Sequence, residues 1–248
     1  MTELKAGVFV PQGWSMDLVD VPDPVQKYET MSRCAREAER AGFDAVWLYD
    51  HFHTVPRPVT EGVFECWTAM AALARDTSTV RLGQMVTCAA YRPPALLAKI
   101  SSCVDVISHG RLIVGVGAGW YQHEFDAWGY PYNDAPERLR VLRETLQVLK
   151  AMWTEERADY EGHRFQLRGA INEPKPVQKP HPPLWIGGGG ERVTLKLVAQ
   201  HGDGCNVGGG DEDAIRQKLE VLRRHCDDVG SDYDRIVKST SVMVWLGD

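Results

Sequence analysis

The strongest chemistry in the chain sits at Asp50-His51-Phe52-His53. A carboxylate beside an imidazole can work as an oriented acid/base pair, because histidine gains and loses a proton near neutral pH. The plainer reading is that Asp50 caps a turn and His51 only packs. His51 and His53 also have the spacing with which two imidazoles can hold a divalent metal.

Three further segments could bind a ligand. In Gly83–Cys88, the residues Met85, Val86 and Thr87 are small or apolar enough to lie against a planar ring, although a core strand reads the same way. Gly115–Glu124 spaces its glycines so that backbone at Gly117 could approach a ligand closely. Trp120 and Tyr121 could stack on that ligand, and His123 and Glu124 add polar groups. The spacing there is G-x-G-x-G rather than G-x-G-x-x-G, which sets aside a dinucleotide fingerprint. Gly187–Gly190 runs straight into a helical segment at Arg192. The N–H groups of Gly188, Gly189 and Gly190 would then face an anion, with phosphate the natural guest. Asn206 either bonds a ligand or fixes a turn.

These segments gain meaning from the elements that must position them. Apolar runs at Leu4–Val10, Ala45–Asp50, Val80–Val86, Arg111–Gly117, Pro183–Gly187, Gly204–Val207 and Ile236–Leu246 read as strands. Between them, helical periodicity covers Val25–Ala41, Cys66–Asp76, Ala95–Ser108, Glu137–Trp153, Arg192–His201 and Ala214–Val229. Strict alternation predicts an α/β fold with a parallel sheet. The length of 248 residues favours a (β/α)8 TIM-type barrel over an open doubly wound sheet. The count is one strand and about two helices short of eight pairs, so the expectation is a barrel lacking its last unit or units. Residues 1–248 read as one domain. Residues 156–182 carry a hairpin near Tyr160–His163 and then a proline-rich stretch, read as an insertion crossing the barrel before the fifth predicted strand. Every candidate segment then falls at a strand's C-terminal end, where barrel enzymes place their chemistry.

Composition narrows the function classes. Lys and Arg number 28 against 34 Asp and Glu, a net charge of −6, which argues against nucleic acid. No apolar run approaches a membrane span, and Met1–Lys5 does not open a signal peptide. The six scattered cysteines form no Cys-x-x-Cys pair, so the expectation is free thiols, a cytoplasmic protein and no metal.

Taken together, the strand ends resemble the bacterial luciferase-like oxidoreductases, and most of all the branch that uses the deazaflavin coenzyme F420. The resemblance runs from Gly7 to about Val207. It is carried by Asp50-His51-Phe52, Val114-Gly-Val-Gly-Ala-Gly-Trp120, Pro174-Lys-Pro-Val-Gln178 with Pro180-His-Pro-Pro183, and Ile186-Gly-Gly-Gly-Gly190 with Asp203-Gly204. It implies His51 as proton donor or acceptor beside the reactive ring carbon and Asp50 holding the ring's polar edge. It also implies a bulge with a cis peptide at Met85–Val86 behind the ring, His123 beside the ring, and Gly188–Gly190 on the cofactor phosphate. The sugar-phosphate dehydrogenases of the family carry a catalytic glutamate where this chain has Trp120, which argues against that substrate.

The leading expectation is therefore hydride transfer between F420 and a small organic substrate by a homodimer. FMN with oxygen, in a monooxygenase, is the close alternative. A metal-dependent barrel hydrolase and a non-catalytic cofactor carrier are the alternatives of other classes.

Overall fold

Apolar β-rich runs form the strands, and caps set the helix starts. The computed structural model describes residues 4–208 and 210–244. Strand β1 (Gly7–Phe9) leads to helix α1 (Pro24–Arg40), which Asp23 caps through the N–H of Gln26. Next come β2 (Ala45–Leu48), α2 (Cys66–Asp76), β3 (Arg81–Gln84), the two-residue β4 (Thr87–Cys88) and α3 (Pro94–Ile107). Then follow β5 (Leu112–Gly117), the short α4 (Gln122–Trp128) and α5 (Ala135–Thr154). An antiparallel hairpin of β6 (Ala158–Glu161) and β7 (Gln166–Ala170) interrupts the alternation. The chain resumes with β8 (Leu184–Gly187), α6 (Thr194–His201), β9 (Gly204–Asn206), α7 (Glu212–Val229) and β10 (Val237–Ser239).

All pairings in the main sheet are parallel, in the order β1-β2-β3-β5-β8-β9-β10, with β4 beside β5. This is the curled parallel sheet of a (β/α) barrel, seen over seven strand positions, and among the described residues no pairing joins β1 to β10. Both faces of the sheet are covered, as near-continuous apolar strands require. Val46, Leu48, Leu82, Val114, Val116 and Ile186 pack under the helices in the large core. Ala45, Trp47, Ile113 and Trp185 fill the opposite face, with Phe9 and Met85 against them.

The expected strands and helices are present, with shifted ends. The first strand begins at Gly7, not Leu4, which is 93% exposed. The last ends at Ser239, and residues 245–246 of its expected range lie outside the described residues. The expected strand Val80–Val86 stops at Gln84 as β3, and β4 takes up the strand only at Thr87. Gly83 pairs with Ile113 but Thr87 with Val116, so four steps on one strand face three on the other. One residue bulges there, and the Met85–Val86 peptide is cis. Helix α4 was not expected; Gly129 ends it in a left-handed conformation.

The bulge aims the Val86 side chain between β5 and β8. A Cβ on Gly117 would lie 2.5 Å from Val86 Cγ2, and one on Gly187 2.6 Å from Cγ1. Gly117 therefore makes room for a neighbouring side chain of the protein. That corrects its expected role of letting backbone approach a ligand.

The proline-rich stretch lies at the far end of the sheet. Gln178 Nε2 donates to Asp105 Oδ1 (2.7 Å) and to Leu112 O (2.8 Å), at the start of β5. Asn172 Nδ2 reaches Ser102 Oγ on α3 and Met152 O on α5. This stretch braces strand entries and stays away from the strand C-terminal ends.

Two predictions follow from this packing. Gly117→Ala should destabilise the fold by about 1–3 kcal/mol, and adding Val86→Ala should recover most of the loss, read as urea-denaturation coupling. Additive effects would mean that Val86 does not fill that space. The second concerns Glu39, which accepts the N–H groups of Ser78, Thr79 and Val80 ahead of β3. Partial burial would raise its pKa, but these donors outweigh burial and hold it at about 2, below the usual 4.5. Its stabilisation is complete above pH 4.5 and fades as pH falls towards 2. Glu39→Gln should cost about 1 kcal/mol at pH 7, since solvent screens the group, and the difference from the parent protein should shrink across that acid window.

Candidate active site

Strand alternation decides which side chains at the end of β2 enter the sheet's inner face. Ala45 and Trp47 lie there, and the same parity carries Tyr49 and His51. Phe9 stacks on Tyr49 with centroids 4.3 Å apart, and Trp14 stacks on His51 at 4.5 Å with the rings 13° from parallel. Gln12, fully buried, fixes this neighbourhood. Its amide bonds both the N–H and the carbonyl of Tyr49 and also reaches Phe64 O. Burial, with the nearby charge of Asp17, pushes the Tyr49 phenol up to about 12.

The partner of His51 is Glu124, 73 residues away. Its Oε2 lies 2.9 Å from His51 Nδ1 and accepts the Tyr91 hydroxyl at 2.8 Å. Its Oε1 accepts the N–H groups of Phe52 (2.7 Å) and His53 (2.8 Å). The carboxyl is wholly buried, which opposes its charge, but the bonds from His51, His53 and Tyr91 outweigh burial and hold its pKa below the usual range. An ionised carboxylate only accepts hydrogen bonds, so His51 Nδ1 carries the proton and Nε2 is the basic nitrogen, turned away from Glu124. Burial, then Cys88 and Glu124, drive the Tyr91 phenol well up, so it stays a donor.

Asp50 has the opposite parity and faces the helices. It accepts both Arg92 nitrogens, at 2.7 and 2.9 Å, and the Cys88 N–H at 2.9 Å. Arg92 also bonds Glu65, the N-cap of α2. Burial opposes the Arg92 charge, but Asp50 outweighs it and drives the guanidinium higher. The structure thus separates the expected Asp50–His51 pair. Asp50 is a structural clamp on the β4–α3 connection, and Glu124 takes the role of orienting the imidazole.

Around His51 the rim is aromatic. Trp120, 60% exposed, stands edge-on to His51 at 5.8 Å and stacks on Tyr121. His123 is exposed on α4, with its ring 5.0 Å from His53. Trp128 Nε1 donates to His53 Nε2 at 3.2 Å, while His53 Nδ1 is buried without a partner. His51 and His53 are therefore engaged by different protein groups, and among the described residues no three His, Cys, Asp or Glu side chains converge as a metal-holding group.

The glycine loop follows β8, whose last residue, Gly187, touches Val86. Gly188 has φ +112° and spends its N–H on Asn206 O. The N–H groups of Gly189 and Gly190 have no acceptor among the described residues. A Cβ on Gly189 would lie 2.8 Å from Lys218 Nζ and 2.9 Å from Val207 O. An ammonium group thus stands beside free backbone donors, a cradle that suits a phosphate. The helix itself starts at Thr194, not Arg192, so a turn separates the loop from α6. Asn206 bonds Ser239, Ser241 and the Gly208 N–H, and so fixes a turn. Met85 and Val86 at the bulge, with Thr87, whose hydroxyl is buried without a partner, link the His51 neighbourhood to this loop through β5.

Trp14 and Lys218 were not among the expected site residues, and Glu124 was expected as a polar group for a ligand rather than as the partner of His51. Trp14 follows the first strand, where the strand-end rule applies as it does elsewhere. Glu124 is a charge directly before the buried Phe125, a signal of a buried partner. Lys218 had no signal in the sequence.

The chain is similar in sequence to enzymes of two cofactor types. An F420-dependent glucose-6-phosphate dehydrogenase of Amycolatopsis mediterranei is 30% identical over 207 residues, covering 79% of this chain and 60% of its own length. The oxygenase component of a flavin-dependent trigonelline monooxygenase from Acinetobacter baylyi is 31% identical over 188 residues, covering 73% of this chain and 48% of its own. The chain thus spans less than two thirds of the length of these relatives. Among solved structures, an F420-dependent secondary alcohol dehydrogenase in complex with an F420-acetone adduct superposes with a TM-score of 0.81 at 22% identity, over 96% of this chain and 68% of that one. The luciferase-like monooxygenase family model matches residues 4–248, and the chain belongs to that family.

Proposed function

We propose that this chain carries the catalytic half-site of an F420-dependent oxidoreductase acting on a small organic substrate, with His51 as its proton donor and acceptor. The observation that carries the reading is the His51–Glu124 pair, a buried carboxylate fixing the tautomer of an imidazole at a barrel strand end. F420-dependent relatives of the same family support the choice of cofactor.

The residues present fit a deazaflavin with a phosphate-bearing side arm. Gly188, Gly189, Gly190 and Lys218 would hold the phosphate. Met85, Val86 and Thr87 would back the ring, and Trp120 and His123 would flank it. When bound, the cofactor supplies a hydride acceptor or donor. His51 Nε2 takes the hydroxyl proton of an alcohol substrate, or returns it to a carbonyl oxygen. Glu124 holds the ring and stabilises the imidazolium that results. Trp14 covers one ring face and excludes water from it. Arg92 is spent on Asp50 and Glu65 and is not free to bind substrate.

The second reading is an FMN-dependent monooxygenase, supported by the trigonelline and dimethylsulfone monooxygenases among the relatives. We also read the enzyme as a cytoplasmic homodimer, on its free thiols and the family resemblance. No helix among the described residues is long and apolar enough to cross a membrane.

Fluorescence titration with F420 and, separately, FMN tests the cofactor. Selective F420 binding supports the proposal, and selective FMN binding replaces it with the monooxygenase. His51→Ala should lower kcat by about 10²–10⁴-fold and leave the cofactor Kd within about threefold. Unchanged turnover would remove the proton-transfer role. Gly189→Val and, without touching the loop, Lys218→Gln should each weaken cofactor binding by about tenfold or more. Equal affinity in both would displace the phosphate from this loop.

A further inference from the structure

A cleft lies on the outer helical layer, between α5, α6 and the C-terminal end of α7, with a volume of about 810 Å³. Arg143 enters it from α5, Lys196 from α6, and Arg192 from the segment just before α6. No acidic side chain lines it. Some arginines elsewhere in the chain are matched with acids. Arg92 pairs with Asp50 and Glu65, Arg140 and Arg164 with Glu137, and Arg216 with Glu212. Arg143, Arg192 and Lys196 have no hydrogen-bond or ion-pair partner among the described residues. Three like charges around one concavity repel one another, and nothing in the cleft's own wall offsets them. Ser231 also lines the cleft, and its hydroxyl is buried without a partner.

His201 reports the resulting potential. Burial first, then the positive charges of Lys150 and Arg143 on α5, push its pKa down to about 4. Lys150 in turn feels the negative charge of Asp203. The end of α7 contributes Val229 and Ser231 to the cleft and no charge.

We propose that this cleft is an anion site for a small phosphorylated ligand of pyrophosphate type, held by Arg143, Arg192 and Lys196. Phosphoryl oxygens suit the pairing. The flat guanidinium forks can each engage two of them, and the lysine adds a compact third charge. The site is separate from the glycine loop, whose own cation is Lys218. It stands whether or not the oxidoreductase reading holds.

Inorganic pyrophosphate is the probe, titrated into the purified protein by calorimetry at low ionic strength. The expected result is a saturable site with a Kd between about 10 and 500 μM. Combining Arg143→Gln with Lys196→Gln, both on exposed side chains, should weaken it by about tenfold or more. A bound anion favours the imidazolium, so the NMR titration midpoint of His201 should rise from about 4. No saturable binding up to about 10 mM would overturn the proposal. So would binding that survives the double variant but is lost in Gly189→Val, because the anion would then occupy the glycine loop.

Discussion

One buried carboxylate ties the candidate site together. Glu124 accepts four hydrogen bonds, from His51, Phe52, His53 and Tyr91, and those donors come from two separate strand-end loops. A charge without exposure is tolerable only when it is fully bonded, because an unmet buried carboxylate costs several kcal/mol. The same bonds that make the charge tolerable fix the tautomer of His51 and turn its Nε2 away from Glu124. The short helix α4 exists to deliver that carboxylate, with Phe125 beside it as the anchor.

A second constraint runs through Val86. Its side chain fills the space left by Gly117 and Gly187, and the Gln84 carbonyl fills that left by Gly115, so β5 and β8 close on the bulge and the glycine loop leaves β8 at a set place. Asp50 works from the other face of the sheet, gripping Arg92 and the Cys88 N–H so that the bulge and the α3 entry keep their positions. The His51–Glu124 pair and the glycine loop are joined by packing rather than by a chain of polar bonds.

The alternation of strands and helices was legible because the central strands β2, β5 and β8 are buried along almost their whole length and so read as apolar runs. The stripe of Leu142, Leu146, Leu149 and Trp153 marked α5 equally well, and all four are buried. Strand parity was also available. Counting by twos from Ala45 separates His51 from Asp50, and that count would have kept the two from being read as a pair. What the sequence could not carry was contact at long separation. His51 and Glu124 are 73 residues apart, and Lys218 meets Gly189 only once α7 has packed. The G-x-G-x-G run looked like ligand space because a glycine records only a missing side chain, not what fills the gap. The bulge between β3 and β4 was masked in the periodicity by a stretch of strand-forming residues, and only the family resemblance placed it at Met85–Val86.

The central claim is that Glu124 holds His51 with its proton on Nδ1 and leaves Nε2 free to accept one. Nitrogen NMR of the protein labelled with ¹⁵N-histidine, at a pH where the ring is neutral, reads the tautomer directly. The account predicts a protonated Nδ1 coupled to Glu124 and a pyridine-like, unprotonated Nε2. A His51 ring protonated on Nε2, with Nδ1 bare, would contradict it.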